Sequence, residues 1–146
     1  MVREAKWKEV DHTADSGIEV WAKSFLDLML EAGIAISEMT TDIESIKMTE
    51  EHHIIVEEEE MDLLLVEFLK ELLYLQETES FIPIGFKKPQ HFPTKKAMIF
   101  AVTAVGGKWE AGKNESKTAI KAVTYHDLTL RIYKKDDWYA KVIFDL

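Results

Sequence analysis

The chain opens with alternating apolar and polar positions. Residues 6–10 and 17–23 read as two strands, and in "GIEVWAK" Ile18, Val20 and Ala22 alternate with Glu19, Trp21 and Lys23. That is the period-two pattern of a strand with one buried face. The polar stretch between them joins the pair as a hairpin. From residue 24 the period changes to that of a helix. Phe25, Leu28, Met29, Ala32 and Ile36 recur at helical spacing, and Ser24 followed by Asp27 resembles a capping box, so a helix is predicted over 24–39. Gly33 lies inside it at a cost of about 1 kcal/mol against alanine. Close packing against a neighbour is the expected reason.

Residues 52–60, "HHIIVEEEE", predict a strand running into an acidic turn, and residues 61–77 carry the strongest helical signal. Met61, Leu64, Leu65, Phe68, Leu69, Leu72 and Leu75 form one stripe, widened by Leu63, Val66 and Leu73, so this helix is expected to be the central packing element against a sheet. Pro83, Pro89 and Pro93 all fall between Phe81 and Thr94, which predicts a loop carrying at most an edge strand. Strands are predicted over 97–105, 118–125, 128–133 and 138–146, with turns at Gly106-Gly107, His126-Asp127 and Asp136-Asp137. There is no internal repeat. The sum is a single α+β domain over residues 1–146, a mixed sheet packed by two α-helices.

Charge narrows the range of partners. With 27 acidic and 18 basic side chains the net charge is -9, which repels phosphate backbones, so little direct nucleic-acid binding is expected. Lys87, Lys88, Lys95 and Lys96 lie near Phe81, Phe86 and Phe92, the mixture that contacts RNA, but they do so against that overall charge. Cysteine is absent, which removes disulfides and thiolate chemistry and fits a reducing compartment; cytoplasmic location is expected. The first ten residues do not read as a signal peptide. Residues 61–75 are interrupted by Asp62, Glu67, Lys70 and Glu71, so no membrane span is expected.

Candidate chemistry is sparse. In "VDHTADSGIEV" (10–20) and the terminal "KVIFDL" (141–146), Asp15 and Asp145 each sit at a strand end in an apolar context. Two carboxylates with the main-chain carboxylate of Leu146 would supply three hard oxygen donors for Ca²⁺, Mg²⁺ or Mn²⁺. The competing reading is a turn residue bonding its own backbone and a frayed terminus, and spacing does not choose between them. His12 and His126 are each a ligand, a general base, or a strand-end histidine satisfied by backbone. His52, His53 and His91 read as surface residues. Glu57 to Glu60 read as a solvated run that complements a helix start. The triplet Asn114-Glu115-Ser116 has meaning as a glycosylation signal only in a secreted chain. No phosphate-cradling glycine loop, His-Glu-x-x-His pair or nucleophile elbow is present.

Three motifs in order, "DHTADSGIEVWAKS" (11–24), "TAIKAVTYHDL" (118–128) and "VIFDL" (142–146), with the "EFLKELLYL" helix (67–75), resemble the archease family over essentially the whole chain. The resemblance implies a small α/β protein that is not itself an enzyme. It would activate an RtcB-type tRNA-splicing RNA ligase, promoting GTP-dependent guanylylation of the ligase histidine and multiple turnover. The alternative it implies is a chaperone-like modulator of an RNA-modifying enzyme, such as a tRNA methyltransferase, without metal chemistry. The family's metal site falls here on Asp15, Asp145 and Leu146. His12 and His126 match family motifs and carry no assigned role, although both stand as candidates for supporting positions around the metal. Two positions depart from the pattern. Ser16 replaces the usual isoleucine, adding a hydroxyl beside Asp15, and Asn114 stands where many relatives have histidine.

Overall fold

The computed structural model describes residues 6–12 and 15–146. Its elements run β1 (Trp7–His12), β2 (Asp15–Ala22), α1 (Phe25–Thr40), β3 (Glu50–Glu58), α2 (Met61–Glu79), β4 (Phe81–Pro93), β5 (Met98–Lys108), β6 (Ala122–Val123), β7 (Thr129–Ile132) and β8 (Trp138–Asp145). The expected α+β domain with two helices forms, and its strands divide between two antiparallel sheets. One has the order β1-β2-β8, with β6 and β7 both paired to β8; the other has the order β3-β5-β4. The first hairpin extends further than its alternation predicts, because Asp11, His12, Asp15 and Ser16 all join the ladder. Thr13 and Ala14 lie outside the described residues.

Helix α1 starts where predicted, with the Ser24 hydroxyl accepting from the Asp27 N–H at 3.1 Å. It touches β1, β2 and β8 of one sheet and β4 of the other, so it is buried on nearly every side from Leu28 to Thr40. That all-round burial, rather than a single stripe, makes it the more enclosed helix. Helix α2 packs on β3, β4 and β5 and reaches β6 and β7, and its predicted stripe from Leu64 to Leu75 is buried. A Cβ on Gly33 would stand 2.7 Å from the Phe86 ring and 3.2 Å from Leu72. The helix glycine is therefore a close-packing residue, as expected.

Three expectations are corrected. Residues Phe81–Pro93 form a continuous edge strand rather than a loop, with register shifts between Pro83 and Gly85 and between Lys87 and Gln90. An edge tolerates proline because the missing donor faces away from the ladder. Gly106 and Gly107 lie inside β5 and make no turn: a Cβ there would meet the Ile82 carbonyl at 2.0 Å and the Lys47 carbonyl at 1.9 Å. Strand pairing in 118–125 is confined to Ala122 and Val123. Just before it, the N–H groups of Lys117 and Thr118 donate to the carbonyls of Thr40 and Met39 at 2.9 and 3.0 Å, closing the end of α1, whose last carbonyls lack helical partners.

Candidate functional site

The first sheet has an inner and an outer face. Ile18, Val20 and Ala22 of β2 and Ala140, Val142 and Phe144 of β8 point at the helices and are buried. Alternation sends the other residues outward, and the registers arrange them in rows across the sheet. Lys8, Glu19, Lys141 and Thr129 form one row. Trp21, Tyr139 and Arg131 form the next, with Lys6 beside Trp21 through its carbonyl, which accepts from the Trp21 N–H at 2.9 Å. Beyond it the Lys23 ammonium donates to Asp137 at 2.6 Å, and the Asp137 carbonyl accepts from the Tyr133 N–H at 2.8 Å.

In the opposite direction the face turns acidic. Gly17 pairs with Val10 and Ile143. One step further, His12 pairs with Asp15 across the hairpin, Ser16 pairs with Phe144, and Asp145 pairs with Ala122. Continuing the register from Ser16 and Phe144 by one residue sets Asp15 opposite Asp145. Residues opposite each other in a ladder hold their Cβ atoms about 4.5–5.5 Å apart. The Asp145 carbonyl accepts from the Lys121 N–H at 2.8 Å, which fixes the end of β8, while the Asp145 side chain and Leu146 are exposed. Ile143 is fully buried and lies over Gly17, where a Cβ would stand 2.7 Å from its Cδ1. It forms an apolar wall next to the carboxylates.

The remaining candidates fall elsewhere. Ser16 points inward with Phe144, is buried, and its hydroxyl has no hydrogen-bond partner among the described residues. His126 is exposed in the turn after β6; its N–H donates to the Thr124 hydroxyl, which itself donates to the Ile143 carbonyl. Asn114 is a structural clamp: its amide donates to the Ser45 carbonyl and hydroxyl at 3.2 and 3.0 Å, and its side-chain carbonyl accepts from the Glu110 N–H. His52 and His91 are half-buried, packed on Phe81 and Phe25 at ring separations of 4.4 and 4.7 Å. Burial pushes the His91 imidazole below its ordinary value. Among the described residues no three side chains of histidine, cysteine, aspartate or glutamate converge to hold a metal ion. A site at Asp15 and Asp145 would need main-chain oxygen as well.

The outer aromatic and basic residues escape motif inspection. Trp21 is 42% exposed and its ring centroid is 5.7 Å from that of Tyr139, which is 5.9 Å from that of Tyr133. The Tyr139 hydroxyl donates to the Glu19 carboxylate, and this bond, with Lys8 3.5 Å away, holds the Glu19 carboxyl below the ordinary range. Burial and the neighbouring carboxylate push the Tyr139 phenol well up, so it stays protonated. The one signal in the sequence was a tryptophan at an outward position of an alternating strand.

The architecture defines the class: an α+β protein in which two antiparallel sheets enclose two helices. A family model described as the Archease protein family matches residues 7–146. The chain belongs to the archease family. It is 30% identical to protein archease of Pyrococcus furiosus over 141 residues, covering 97% of this chain and 99% of that protein. It is also 30% identical to protein archease of Methanopyrus kandleri over 143 residues, covering 96% and 99%. The solution structure of Methanobacterium thermoautotrophicum protein 1598 superposes with a TM-score of 0.85 at 26% identity, covering 98% of this chain and 100% of that one.

Proposed function

We propose that this protein activates an RtcB-type tRNA-splicing RNA ligase in the cytoplasm, promoting guanylylation and repeated turnover, through a divalent cation held by Asp15, Asp145 and the carboxylate of Leu146. The observation that supports this reading is the pairing of Ser16 with Phe144, whose continuation by one residue brings Asp15 and Asp145 opposite each other on an outer face. Carboxylates so placed offer oxygen donors to one hard cation, and Ca²⁺, Mg²⁺ and Mn²⁺ all suit such donors. When bound, it supplies concentrated positive charge that stabilises phosphate oxygens.

The chain's own residues supply the frame. Lys121 holds the carbonyl of Asp145, Gly17 lets Ile143 fold across β2, and the exposed Asp145 side chain leaves the corner open to a partner. The test is multiple-turnover ligation by a partner ligase with wild-type protein and with Asp15→Ala. The variant should keep its fold, read by circular dichroism, and lose all stimulation. Unchanged multiple turnover would refute the cation's role. Fusing a peptide after Leu146 converts its carboxylate to an amide and should weaken cation binding in isothermal titration; equal affinity removes Leu146 from the ligand set.

A further inference from the structure

The net charge of -9 averages over faces that differ. On the outer face of the first sheet, away from Asp15 and Asp145, Lys6, Lys8, Lys23, Arg131 and Lys141 share two rows and their border with the carboxylates Glu19 and Asp137. Both carboxylates are engaged, Glu19 by Tyr139 and Lys8, and Asp137 by Lys23. Asp136 and Lys134 stand in the adjoining turn. Lys6 and Arg131 enter no ion pair among the described residues and Lys141 shares Glu19 with Lys8, so cations outnumber carboxylates at this end of the face.

The same end carries exposed π-surface. Trp21 is 42% and Tyr133 62% exposed, and both line a cavity of about 530 Å³ with Lys6, Lys23, Asp137 and Trp138. That volume falls in the range of small-ligand clefts, about 300–1,000 Å³, and exceeds what one nucleobase fills. The Lys8 ammonium lies over the Trp21 ring, 5.9 Å from its centroid, so a base that stacks on Trp21 takes its place and leaves the ammonium to pair with the phosphate. The lysine group near β4 offers a single exposed ring, Phe92, because Phe81 is fully buried and Phe86 packs against Phe68 and Gly33.

We propose that this aromatic, cationic end of the sheet binds single-stranded RNA. Unpaired bases stack on Trp21 and Tyr133, and phosphates pair with Lys6, Lys8, Arg131 and Lys141. Stacking on aromatic rings combined with cations along a backbone is the chemistry of single-strand binding, and a duplex hides the π-faces that it needs. The choice of RNA over DNA rests on the function proposed above; the stacking and charge complementarity rest on this face alone.

The experiment is fluorescence anisotropy of a labelled 12-nucleotide single-stranded RNA of mixed sequence, and of the same sequence as a duplex, titrated with the full chain. Single-stranded RNA should bind more tightly than the duplex. Three or four phosphate contacts predict about a twenty- to fiftyfold loss of affinity between 50 and 200 mM salt. Trp21→Ala and Tyr133→Ala should each weaken binding about tenfold or more, with the fold kept, as read by circular dichroism. Arg131→Glu, a surface change that leaves the rings in place, should weaken binding and flatten the salt dependence. Asp15→Ala should bind RNA as the wild type does, which separates this face from the ligase-activating corner. No binding, equal binding of the duplex, or wild-type affinity in both ring variants would overturn the proposal. So would ring variants that lose ligase stimulation while the wild type binds no RNA, because the face would then be a protein interface.

Discussion

The two ends of the outer sheet face use one backbone frame for opposite chemistry. At the aromatic end both carboxylates have complements and cations are in excess: Tyr139 donates to Glu19, Lys8 lies between Glu19 and Trp21, and Lys23 donates to Asp137. At the acidic end the register, continued one residue past Ser16 and Phe144, brings the like charges of Asp15 and Asp145 together. A sheet stabilises itself through complementary cross-strand pairs worth about 0.2–1 kcal/mol each and loses by similar amounts where like charges meet. The first end therefore gains from its cross-strand pairs, whereas the second gathers carboxylates where, on the function proposed above, a divalent cation would sit. Gly17 and Ile143 separate them, and Ile143 closes over the glycine.

The largest effect should come from that boundary. Gly17→Val places a Cβ 2.5 Å from the Val142 carbonyl, a backbone atom that cannot swing aside. It should cost about 3 kcal/mol, seen in denaturant unfolding, and impair both ends at once. A variant as stable as the wild type would mean that the β2–β8 contact is looser than described. Next in size is the response to a divalent cation. Ca²⁺ at about 100 times its dissociation constant should stabilise the wild type by about 2.7 kcal/mol in thermal unfolding, and Asp15→Asn should show no such gain. Equal gains in both would place the cation elsewhere.

Tyr139→Phe should cost about 1 kcal/mol at neutral pH, by removing a hydrogen bond to a charged, half-buried acceptor. The Glu19 carboxyl is held low in the folded state, so its contribution is present above the unfolded carboxylate value and is lost as pH falls through the depressed folded one. The gap between wild type and variant should close in acid; a gap constant with pH would show that the lost hydroxyl acted through packing alone. Smallest of all, Asp15→Asn in the presence of EDTA should gain a few tenths of a kcal/mol by relieving the like-charge pair. A loss there would show that the Asp15 carboxylate serves the fold rather than a cation.

Local signals carried much of this fold. Ser24, the α2 stripe and the alternation in "GIEVWAK" follow from spacing alone, and each produced the expected element. What failed were residues whose local chemistry has two uses. Gly106 and Gly107 look like a turn, but their missing side chains let the Ile82 and Lys47 carbonyls approach. Three prolines look like a loop until an edge strand with bulges absorbs them. The candidate site joins residues 130 apart in sequence, Asp15 and Asp145, a pairing no periodicity encodes; strand-end position raised the pair, and motif resemblance favoured it over the turn reading. The aromatic end drew no attention because Lys8, Trp21, Arg131 and Tyr139 come from four different strands, and only the registers make them neighbours.

Paramagnetic broadening of amide NMR signals by Mn²⁺ would locate the cation in one titration. Substoichiometric Mn²⁺ should broaden first the amides of Ser16, Ala122 and Asp145, and leave those of Trp21, Tyr139 and Arg131 sharp. Broadening centred on the Glu57 to Glu60 run, or spread evenly over the acidic surface, would contradict a divalent-cation site at the junction of β2 and β8.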